Sequence, residues 1–474
     1  MANFEYTTIG KQMNPKLARR HAIKGLAISA GIAGFGLGVG HLRAAAPPRL
    51  RAFSRVIDVK GRAARVFGLE ASPGKTGLEM VLGDDFHARL ENDTGTETLI
   101  HWHGLTPPSA QDGVPMLSQS PLLPGAAQVY EFANTRAGTH WMHSHVGLQE
   151  QLLLAAPLII RETAEPVFDE QEHVMMLHDF TFRDPGEILA ELKRGAGEHA
   201  GHAMGVLLND VAYDAYLCND RNLDDPEVVS VKRDGQVRLR IINACAASNM
   251  WIDLGAIEGE VIAVDGNAVY PMKGSLFPLA IAQRADIRLR IPGDGAFPIL
   301  FQAEGVAERT GLVLATAGAQ IAKVSPDATP AAALDLSFES RLRAVGKLPD
   351  EPVTRTEILA LTGGGADYAW GLNGKPSMHD TIFTVKSGER VEIIMRNETG
   401  MAHPMHLHGH YFKVVGIGSA RIGGALRDTV LVPPKATVTI MFDADNPGNW
   451  AFHCHHLYHM NSGMMGAIRY SSAA

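Results

Sequence analysis

Short apolar runs separated by glycine and proline recur along most of the chain. Residues 237–243 alternate polar and apolar side chains, as a half-buried β-strand does, and the stretches 259–266 and 282–292 contain further strand and turn patterns. The main exception is residues 185–193, where apolar residues at helical spacing predict a short amphipathic helix. The pattern therefore predicts an all-β protein.

Two parts of the chain repeat one another. The matching segments are 89–104 with 395–409, and 138–145 with 448–455. The distance from the first matching segment to the second is similar in both copies. A duplicated β-domain explains the repeat, and the middle third has the same texture without the paired histidines.

A chain of 474 residues is long enough for two to four domains. We expect an N-terminal signal over residues 1–46 and three β-domains over 47–165, 166–345 and 346–474. The middle domain carries none of the metal-ligand motifs described below. The first and last domains are the two copies of the repeat.

Composition narrows the functional class. The chain is 46% hydrophobic and 20% charged, which is typical of a soluble globular protein, and its net charge is -8. An acidic chain without a basic, aromatic-rich patch is not expected to bind nucleic acid. The unusual count is 21 histidines, which cluster instead of scattering.

The N-terminus has the pattern of an export signal. Arg19 and Arg20 precede an apolar run over 25–40, and the alanines at 44–46 offer a cleavage site. The arginine pair resembles a bacterial twin-arginine signal, which predicts export by the Tat machinery to the periplasm. No stable membrane anchor is expected after cleavage; an uncleaved N-terminal anchor is the alternative.

Eight histidines form four pairs at i, i+2, so both members of a pair face one side of a strand. The pairs are His101/His103, His143/His145, His406/His408 and His453/His455. They could surround one metal cluster shared by the first and last domains. His403 and Cys454 have the opposite parity and, with His459 and Met464, supply a His₂Cys site with a weak thioether, the ligand set of a blue-copper centre.

At this point the chain resembles the bacterial three-domain multicopper oxidases of the laccase-like and copper-resistance type. The matching motifs are His-Trp-His-Gly at 101–104, His-Ser-His at 143–145, His-Pro-Met-His-Leu-His-Gly at 403–409, and His-Cys-His at 453–455 continuing to Met464. The similarity covers essentially the whole mature chain. It implies three cupredoxin-like Greek-key β-barrel or sandwich domains and four copper ions.

The resemblance also implies a role for each ligand. The type 1 copper is assigned to His403, Cys454, His459 and Met464, and the type 2 copper to His101 and His406. The type 3 pair is assigned to His103, His143, His145, His408, His453 and His455. Electrons from a phenolic or aromatic donor, or from Cu(I), Fe(II) or Mn(II), would pass through Cys454 to His453 and His455 and reduce O₂ to water.

Asp112, in the segment 111–115 just after the first histidine pair, matches the family's acidic residue near the cluster and is predicted to relay protons. A simple Asp-Gly turn is the alternative. The alternative function is copper sequestration in the periplasm without significant turnover. The intact Cys454 site favours electron transfer, because storage does not need it.

Several features leave alternatives open. Met460 stands where many members of the family have a glutamate, so the second proton donor is undefined. His140, His410 and His456 are either neighbours of metal ligands or packed, hydrogen-bonded histidines. Asp428 either orients ligands near the type 1 site or forms a turn.

Two further features allow more than one interpretation. Cys218 and Cys245 form a disulfide after export or stay as two buried thiols. The His- and Met-bearing segment 198–204 is a solvated loop or a weak copper-delivery site.

Overall fold

The structure is a computed structural model, and it describes residues 47–162, 169–195, 208–346 and 351–471. The predicted signal at 1–46 and the segment 198–204 lie outside the described residues. Strands dominate the described residues, which confirms the all-β prediction. Among the described residues, no helix combines the length and the apolar character needed to cross a membrane.

The first pair of sheets is built from the segment 49–161. Its strands are β1 (Arg49–Val59), β2 (Arg62–Ser72), β3 (Lys75–Thr76), β4 (Leu78–Val81), β5 (Phe86–Asp93), β6 (Ile100–His103), β7 (Ala127–Phe132), β8 (Gly138–Ser144) and β9 (Ala155–Arg161), with a 3₁₀ turn at Ser109–Gln111. The sheet orders are β3-β2-β1-β5-β7 and β4-β9-β8-β6. Buried side chains from both sheets, including Leu90 and Trp102, form one apolar core.

The second pair of sheets follows in the segment 170–315. Its elements are β10 (Glu170–Phe180), α1 (Pro185–Lys193), β11 (Ala215–Cys218), β12 (Val228–Ser230), β13 (Gln236–Asn243), β14 (Met250–Asp253), β15 (Gly259–Val264), β16 (Asn267–Gly274), β17 (Leu276–Leu279), β18 (Arg284–Arg290), β19 (Ala296–Ala303) and β20 (Arg309–Ala315). The sheet orders are β11-β10-β13-β18-β15-β16 and β12-β20-β19-β14-β17.

The third pair of sheets lies in the segment 355–470, after the short helix α2 (Ser337–Arg341). Its elements are β21 (Arg355–Gly364), β22 (Ala369–Leu372), β23 (Thr381–Val385), β24 (Arg390–Asn397), β25 (His403–Leu407), β26 (Phe412–Ile417), β27 (Ala420–Arg421), β28 (Leu426–Arg427), β29 (Thr429–Val432), β30 (Thr437–Asp443), β31 (Asn449–Cys454), α3 (Leu457–Asn461) and β32 (Met465–Tyr470). The sheet orders are β22-β21-β24-β30-β26-β27, with β28 pairing β26, and β23-β32-β31-β25-β29. On this grouping of sheets we propose the domain bounds 47–165, 166–345 and 346–474.

The local elements predicted from the pattern are present. The strands predicted over 237–243, 259–266 and 282–292 correspond to β13, β15 and β18, and α1 matches the predicted helix. The helix begins where the Asp184 side chain accepts hydrogen bonds from the amides of Gly186 and Glu187, with Pro185 in the first turn. These predictions are confirmed.

The duplicated segments fold into the same turn. The Asn92 amide donates to the carbonyls of Thr96 and Leu122 (both 2.7 Å), and its oxygen accepts from the Thr94 hydroxyl (2.7 Å). In the second copy, the Asn397 amide donates to two backbone carbonyls (2.7 and 2.9 Å), and its oxygen accepts from the Thr399 hydroxyl (2.8 Å). Each turn leads from a core strand, β5 or β24, to the strand that carries a histidine pair, β6 or β25.

The structure decides the open question about the cysteines. All three cysteines are described, and each is free and buried. Cys218 and Cys245 both belong to the apolar core of the segment 170–315. The disulfide alternative is therefore wrong, and the two residues act as small apolar side chains.

Candidate metal centres

Three side chains from β25, β31 and α3 place their ligand atoms together in the third segment. The Sγ atom of Cys454 lies 3.6 Å from Nδ1 of His403 and 3.8 Å from Nδ1 of His459, and the two Nδ1 atoms are 3.2 Å apart. All three residues have no exposed surface. Two imidazoles and one thiolate in a closed triangle fit a copper ion of the blue-copper class.

Met464 lies beside this triangle in the chain. Its backbone carbonyl accepts a hydrogen bond from the Cys454 amide at 3.0 Å, and its amide donates to the His459 carbonyl at 3.1 Å. The side chain is fully buried in the same apolar core as Cys454. The role of its sulfur as a weak ligand stays a prediction.

The second ring nitrogen of each of these histidines has a partner that fixes the ring. Nε2 of His403 lies 2.7 Å from the Thr399 hydroxyl, which belongs to the duplicated turn. Nε2 of His459 lies 3.3 Å from Oδ2 of Asp210. These contacts leave both Nδ1 atoms directed at Cys454, as ligating histidines require.

Asp210 was not singled out from the sequence, yet its carboxylate contacts the His459 ring. Its carboxylate also lies 3.1 Å from Nε2 of His456 and accepts a hydrogen bond from the Tyr368 hydroxyl. The His456 ring stacks on the His459 ring with centroids 3.7 Å apart. His456 is thus a hydrogen-bonded neighbour of a candidate ligand.

A second group of histidines meets at the face of β31 opposite Cys454, where the His453 side chain lies. Nε2 of His453 is 3.0 Å from Nε2 of His408 and 3.4 Å from Nε2 of His145. Nδ1 of His453 donates to the Cys454 carbonyl (2.9 Å), and Nδ1 of His408 faces Oδ2 of Asp112 (2.8 Å).

These contacts decide which nitrogens carry hydrogen. An Nδ1 atom beside a carbonyl or carboxylate oxygen must be the donor, so the neutral ring has its lone pair on Nε2. The Nε2 lone pairs of His408 and His453 then point at one another inside the protein. A metal ion between them removes this repulsion, so the residues fit a bound copper.

The same arrangement occurs in a second histidine pair. Nε2 of His101 lies 3.4 Å from Nε2 of His406. Each Nδ1 atom is held by a backbone carbonyl, that of Asp112 for His101 and that of Asp428 for His406, both at 2.8 Å. Two further lone pairs therefore converge on one point.

Three paired histidines remain, and each has a ring nitrogen that supports metal binding. Within the described part of the chain, Nδ1 of His103, Nε2 of His143 and Nε2 of His455 are buried and have no hydrogen-bond partner. Buried polar atoms without partners are rare and require an explanation. A third metal position, bound by one nitrogen from each residue, supplies that explanation.

Burial controls the electrostatics of the cluster. It lowers the pKa of each of the following histidines well below the ordinary range: His103, His143, His145, His406, His408 and His455. These rings are therefore neutral near pH 7, which is the form that binds a metal ion.

Two acidic residues contact the cluster in ways that sequence reasoning missed or misplaced. Glu150 is buried, and its carboxylate lies 3.0 Å from Nδ1 of His143 and 3.6 Å from Nδ1 of His455. Asp428 was expected near the His₂Cys site or in a turn. The first alternative is wrong, because its Oδ1 atom lies 3.0 Å from Nε2 of His103 instead, while the residue itself occupies a bend between β28 and β29.

The two other ambiguous histidines have separate surroundings. His410 is a packed, hydrogen-bonded residue: its Nδ1 donates to the His408 carbonyl at 3.0 Å, and its Nε2 lies 2.6 Å from the Tyr470 hydroxyl. His140 is buried, and within the described residues neither ring nitrogen has a hydrogen-bond partner.

Comparison with known proteins adds an independent observation. Models of the family described as multicopper oxidase match residues 58–165, 171–321 and 350–474. The multicopper oxidase MmcO of Mycobacterium tuberculosis is 30% identical over 417 residues, which cover 83% of this chain and 81% of that protein. Copper resistance protein A of Escherichia coli is 26% identical, with coverage of 96% and 99%.

A solved structure shows the same similarity in three dimensions. The multi-copper oxidase from Pseudomonas thermotolerans superposes with a TM-score of 0.70 at 26% identity. The superposition covers 89% of this chain and 98% of that one. The similarity therefore spans all three pairs of sheets.

Proposed function

The chain belongs to the multicopper oxidase family, and we propose that it takes single electrons from a metal ion at its His₂Cys centre. Membership establishes the class of reaction, which is oxidation of a reducing substrate with O₂ as acceptor, and four copper ions: one type 1, one type 2 and a type 3 pair. When bound, these ions supply one-electron oxidation of the donor and four-electron reduction of O₂ to water.

We assign the type 1 copper to the His₂Cys triangle and Met464, because the triangle is the described site with a thiolate. The type 2 copper is assigned to the facing pair His101 and His406. Each copper of the type 3 pair is assigned three histidine ligands. One copper is assigned to His145, His408 and His453, and the other to His103, His143 and His455. The converging and unpartnered nitrogens support this division.

Cys454 joins the two centres through covalent bonds. Its neighbours in the chain, His453 and His455, belong to the two different type 3 sets. The hydrogen bond from Nδ1 of His453 to the Cys454 carbonyl (2.9 Å) adds a shorter connection to one set. We propose this segment as the path for electrons, because it contacts both ligand groups.

The proposed role of Asp112 in proton relay is supported by its position. The residue is fully buried, its Oδ2 atom lies 2.8 Å from Nδ1 of His408, and its carbonyl holds His101. It therefore contacts ligands of both the type 2 copper and the type 3 pair. Reduction of O₂ to two waters consumes four protons, and the carboxylate can hold one at Oδ1, which is buried and has no hydrogen-bond partner within the described residues.

Asp112→Asn tests that role. We expect the turnover number to fall by about a hundredfold or more, because the amide keeps the shape but not the exchangeable carboxyl proton. The type 1 absorption and the copper content should stay unchanged. The exposed residue Asp84 gives the matched control, Asp84→Asn; wild-type turnover in Asp112→Asn would remove the relay role.

A cationic donor fits the surroundings of His459 better than a neutral phenol. Both type 1 histidines are fully buried, so electrons must enter through a neighbouring group. The Asp210 carboxylate contacts the His459 ring and keeps only 5% of its side chain exposed. The negative charge of a carboxylate at that position attracts a metal cation to the neighbouring surface.

Oxygen uptake by the copper-loaded protein tests the proposal, with Cu(I), Fe(II), Mn(II) and 2,6-dimethoxyphenol as donors. We expect turnover with at least one metal ion. In Asp210→Asn, kcat/KM for that ion should fall at least about tenfold, because the attracting charge is gone, while the phenol is little affected. Tyr368→Phe is the control that removes a hydrogen bond from Asp210 but keeps its charge.

The other outcomes are equally informative. An equal loss with metal ion and phenol would show that Asp210 acts only through His459 and would overturn the cationic donor. No uptake with any donor at full copper loading would favour the alternative function, periplasmic copper sequestration. The name of the copper resistance relative is compatible with that alternative.

We also propose that the protein works in the periplasm after export by the Tat machinery. The support is the arginine pair Arg19-Arg20 before an apolar run, and the copper chemistry of the relatives. Fractionation of cells that express the full chain tests this location, and protein confined to the cytoplasm would contradict it.

A further inference from the structure

One residue of the middle segment reaches the candidate trinuclear site. Arg284, at the start of β18, is fully buried. Its Nη1 donates to Oδ1 of Asp428 at 2.7 Å, and its Nη2 donates to Oδ2 at 2.5 Å. Its Nε donates to the Thr139 carbonyl at 3.1 Å, so the same side chain contacts all three segments.

Asp428 connects this guanidinium to two candidate ligands. Its Oδ1 atom lies 3.0 Å from Nε2 of His103, and its backbone carbonyl accepts from Nδ1 of His406 at 2.8 Å. The Thr429 hydroxyl donates to the same Oδ1 atom at 3.0 Å. One carboxylate residue thus touches a ligand assigned to the type 3 pair and a ligand assigned to the type 2 copper.

The bidentate contact determines how the carboxylate can be used. The two parallel N–H···O bonds from Arg284 fix the plane of the Asp428 carboxylate. A planar guanidinium can form both bonds at once, whereas a lysine ammonium cannot. With that plane fixed, Oδ1 faces Nε2 of His103 at 3.0 Å and accepts its hydrogen. The lone pair of His103 is then on Nδ1, which is the atom without a protein partner.

We propose that Arg284 is a positioning residue for the trinuclear copper site, acting through Asp428 on the tautomer and orientation of His103 and His406. This inference rests on the proposed ligand assignment. It gives the middle domain, which supplies none of the ligands assigned above, a direct part in the geometry of the cluster. A buried ion pair that only joined domains would not need to contact a ligand.

Arg427 offers a control for that simpler explanation. It is also buried, and its Nε donates to Oε2 of Glu339 at 2.8 Å, while its Nη1 lies 3.2 Å from Oδ2 of Asp265. These two contacts of Arg427 join the third segment to α2 and to the middle segment. Arg284 likewise joins separate segments. Neither acidic partner of Arg427 is a residue that contacts a candidate ligand in the structure.

The experiment compares Arg284→Gln, Arg284→Lys and Arg427→Gln after loading with copper. Copper content and the type 2 signal in electron paramagnetic resonance are measured, together with the blue absorption of the Cys454 site. In both Arg284 variants we expect a changed type 2 hyperfine splitting and about a tenfold to a hundredfold loss of type 2 copper affinity. Their blue absorption should be unchanged.

Arg427→Gln should melt at a lower temperature but retain the wild-type type 2 signal. Asp428→Asn should reproduce the spectral change, and adding Arg284→Lys to it should cause little further change, because both act on one path. Arg284 variants with the wild-type type 2 signal and affinity would overturn the inference. A wild-type protein without a type 2 signal would instead overturn the ligand assignment.

If Arg284→Gln does not fold, the lysine variant retains the buried charge and keeps the comparison possible. In that variant the bidentate contact with Asp428 is lost, but the positive charge remains. A wild-type signal in folded Arg284→Lys, with an altered signal in Asp428→Asn, would show that Asp428 does not need the guanidinium and would overturn the role of Arg284.

Discussion

Replacing Cys454 with serine is expected to abolish both the blue colour and the oxidase turnover while the type 3 pair stays bound. The thiolate is the soft ligand that defines the His₂Cys set, and a serine hydroxyl is a poor substitute for it. Turnover should fall to the level of the copper-free protein, because the described structure offers no second thiolate at either centre. The blue absorption, the near-ultraviolet type 3 band and oxygen uptake measure the three effects.

The chain contains its own precedent for this substitution. Ser144 occupies the position equivalent to Cys454 in the first copy of the repeat, between His143 and His145. Its hydroxyl donates to Oε1 of Gln149 at 2.7 Å, and both flanking histidines remain in the cluster. A serine at 454 is therefore compatible with the backbone that directs His453 and His455.

Cys218→Ala is the matched control for Cys454→Ser. Cys218 is also a free, buried thiol, but it lies in the apolar core of the middle segment. This variant should keep the blue colour and turnover. Turnover retained by Cys454→Ser would show that electrons reach O₂ by a path other than the segment 453–455.

The ligand groups could be predicted from the sequence because they depend on a local rule. Side chains two residues apart share a face of a strand, so His453 and His455 separate from Cys454 wherever the strand lies. The turns at Asn92 and Asn397 recur in both copies of the repeat. They therefore indicated that the strands carrying the other histidine pairs lie in equivalent positions. Element positions such as α1 followed from equally local signals, the Asp184 cap and Pro185.

The residues around the ligands could not be predicted in the same way. Asp210 is 249 positions from His459, and Arg284 is 144 positions from Asp428. Such contacts depend on how separate sheets pack, which no local pattern encodes. Asp428 was misplaced for the same reason: its distance in sequence from His403 and from His103 did not indicate which of the two centres its side chain would face.

Glu150 shows a related limit. It lies five positions after His145 in a turn, where an acidic residue is ordinarily solvated. Burial raises the pKa of its carboxyl well above the ordinary range, and the side chain contacts His143 and His455 from two different segments. The packing of the first segment against the third brings His143 and His455 to the same carboxylate.

Removing copper is expected to lower the thermal stability of the protein substantially. Without the metal, the Nε2 lone pairs of His408 and His453 face one another at 3.0 Å in a buried site. The ligands also come from distant parts of the chain, with 308 positions between His145 and His453, so the unfolded chain has no preformed site. Metal binding energy is therefore available to the folded state alone.

The size of the effect follows from mass action. A ligand that binds only the folded state at a thousand times its dissociation constant stabilises that state by about 4 kcal/mol. We expect the melting temperature to rise with the logarithm of the free copper concentration. Calorimetry of copper-free protein, titrated with Cu(II) at pH 7, measures this dependence while the buried histidines are neutral.

His408→Gln and His87→Gln separate cluster binding from other causes. His408 belongs to the ligand set that also contains His145 of the first segment, so its variant should gain markedly less stability from copper than the wild type. His87, on β5, is partly exposed and belongs to none of the ligand sets, so its variant should gain as much as the wild type. If copper stabilised His408→Gln fully, or left the wild type unchanged, the converging nitrogens would not be the site where the metal stabilises the fold.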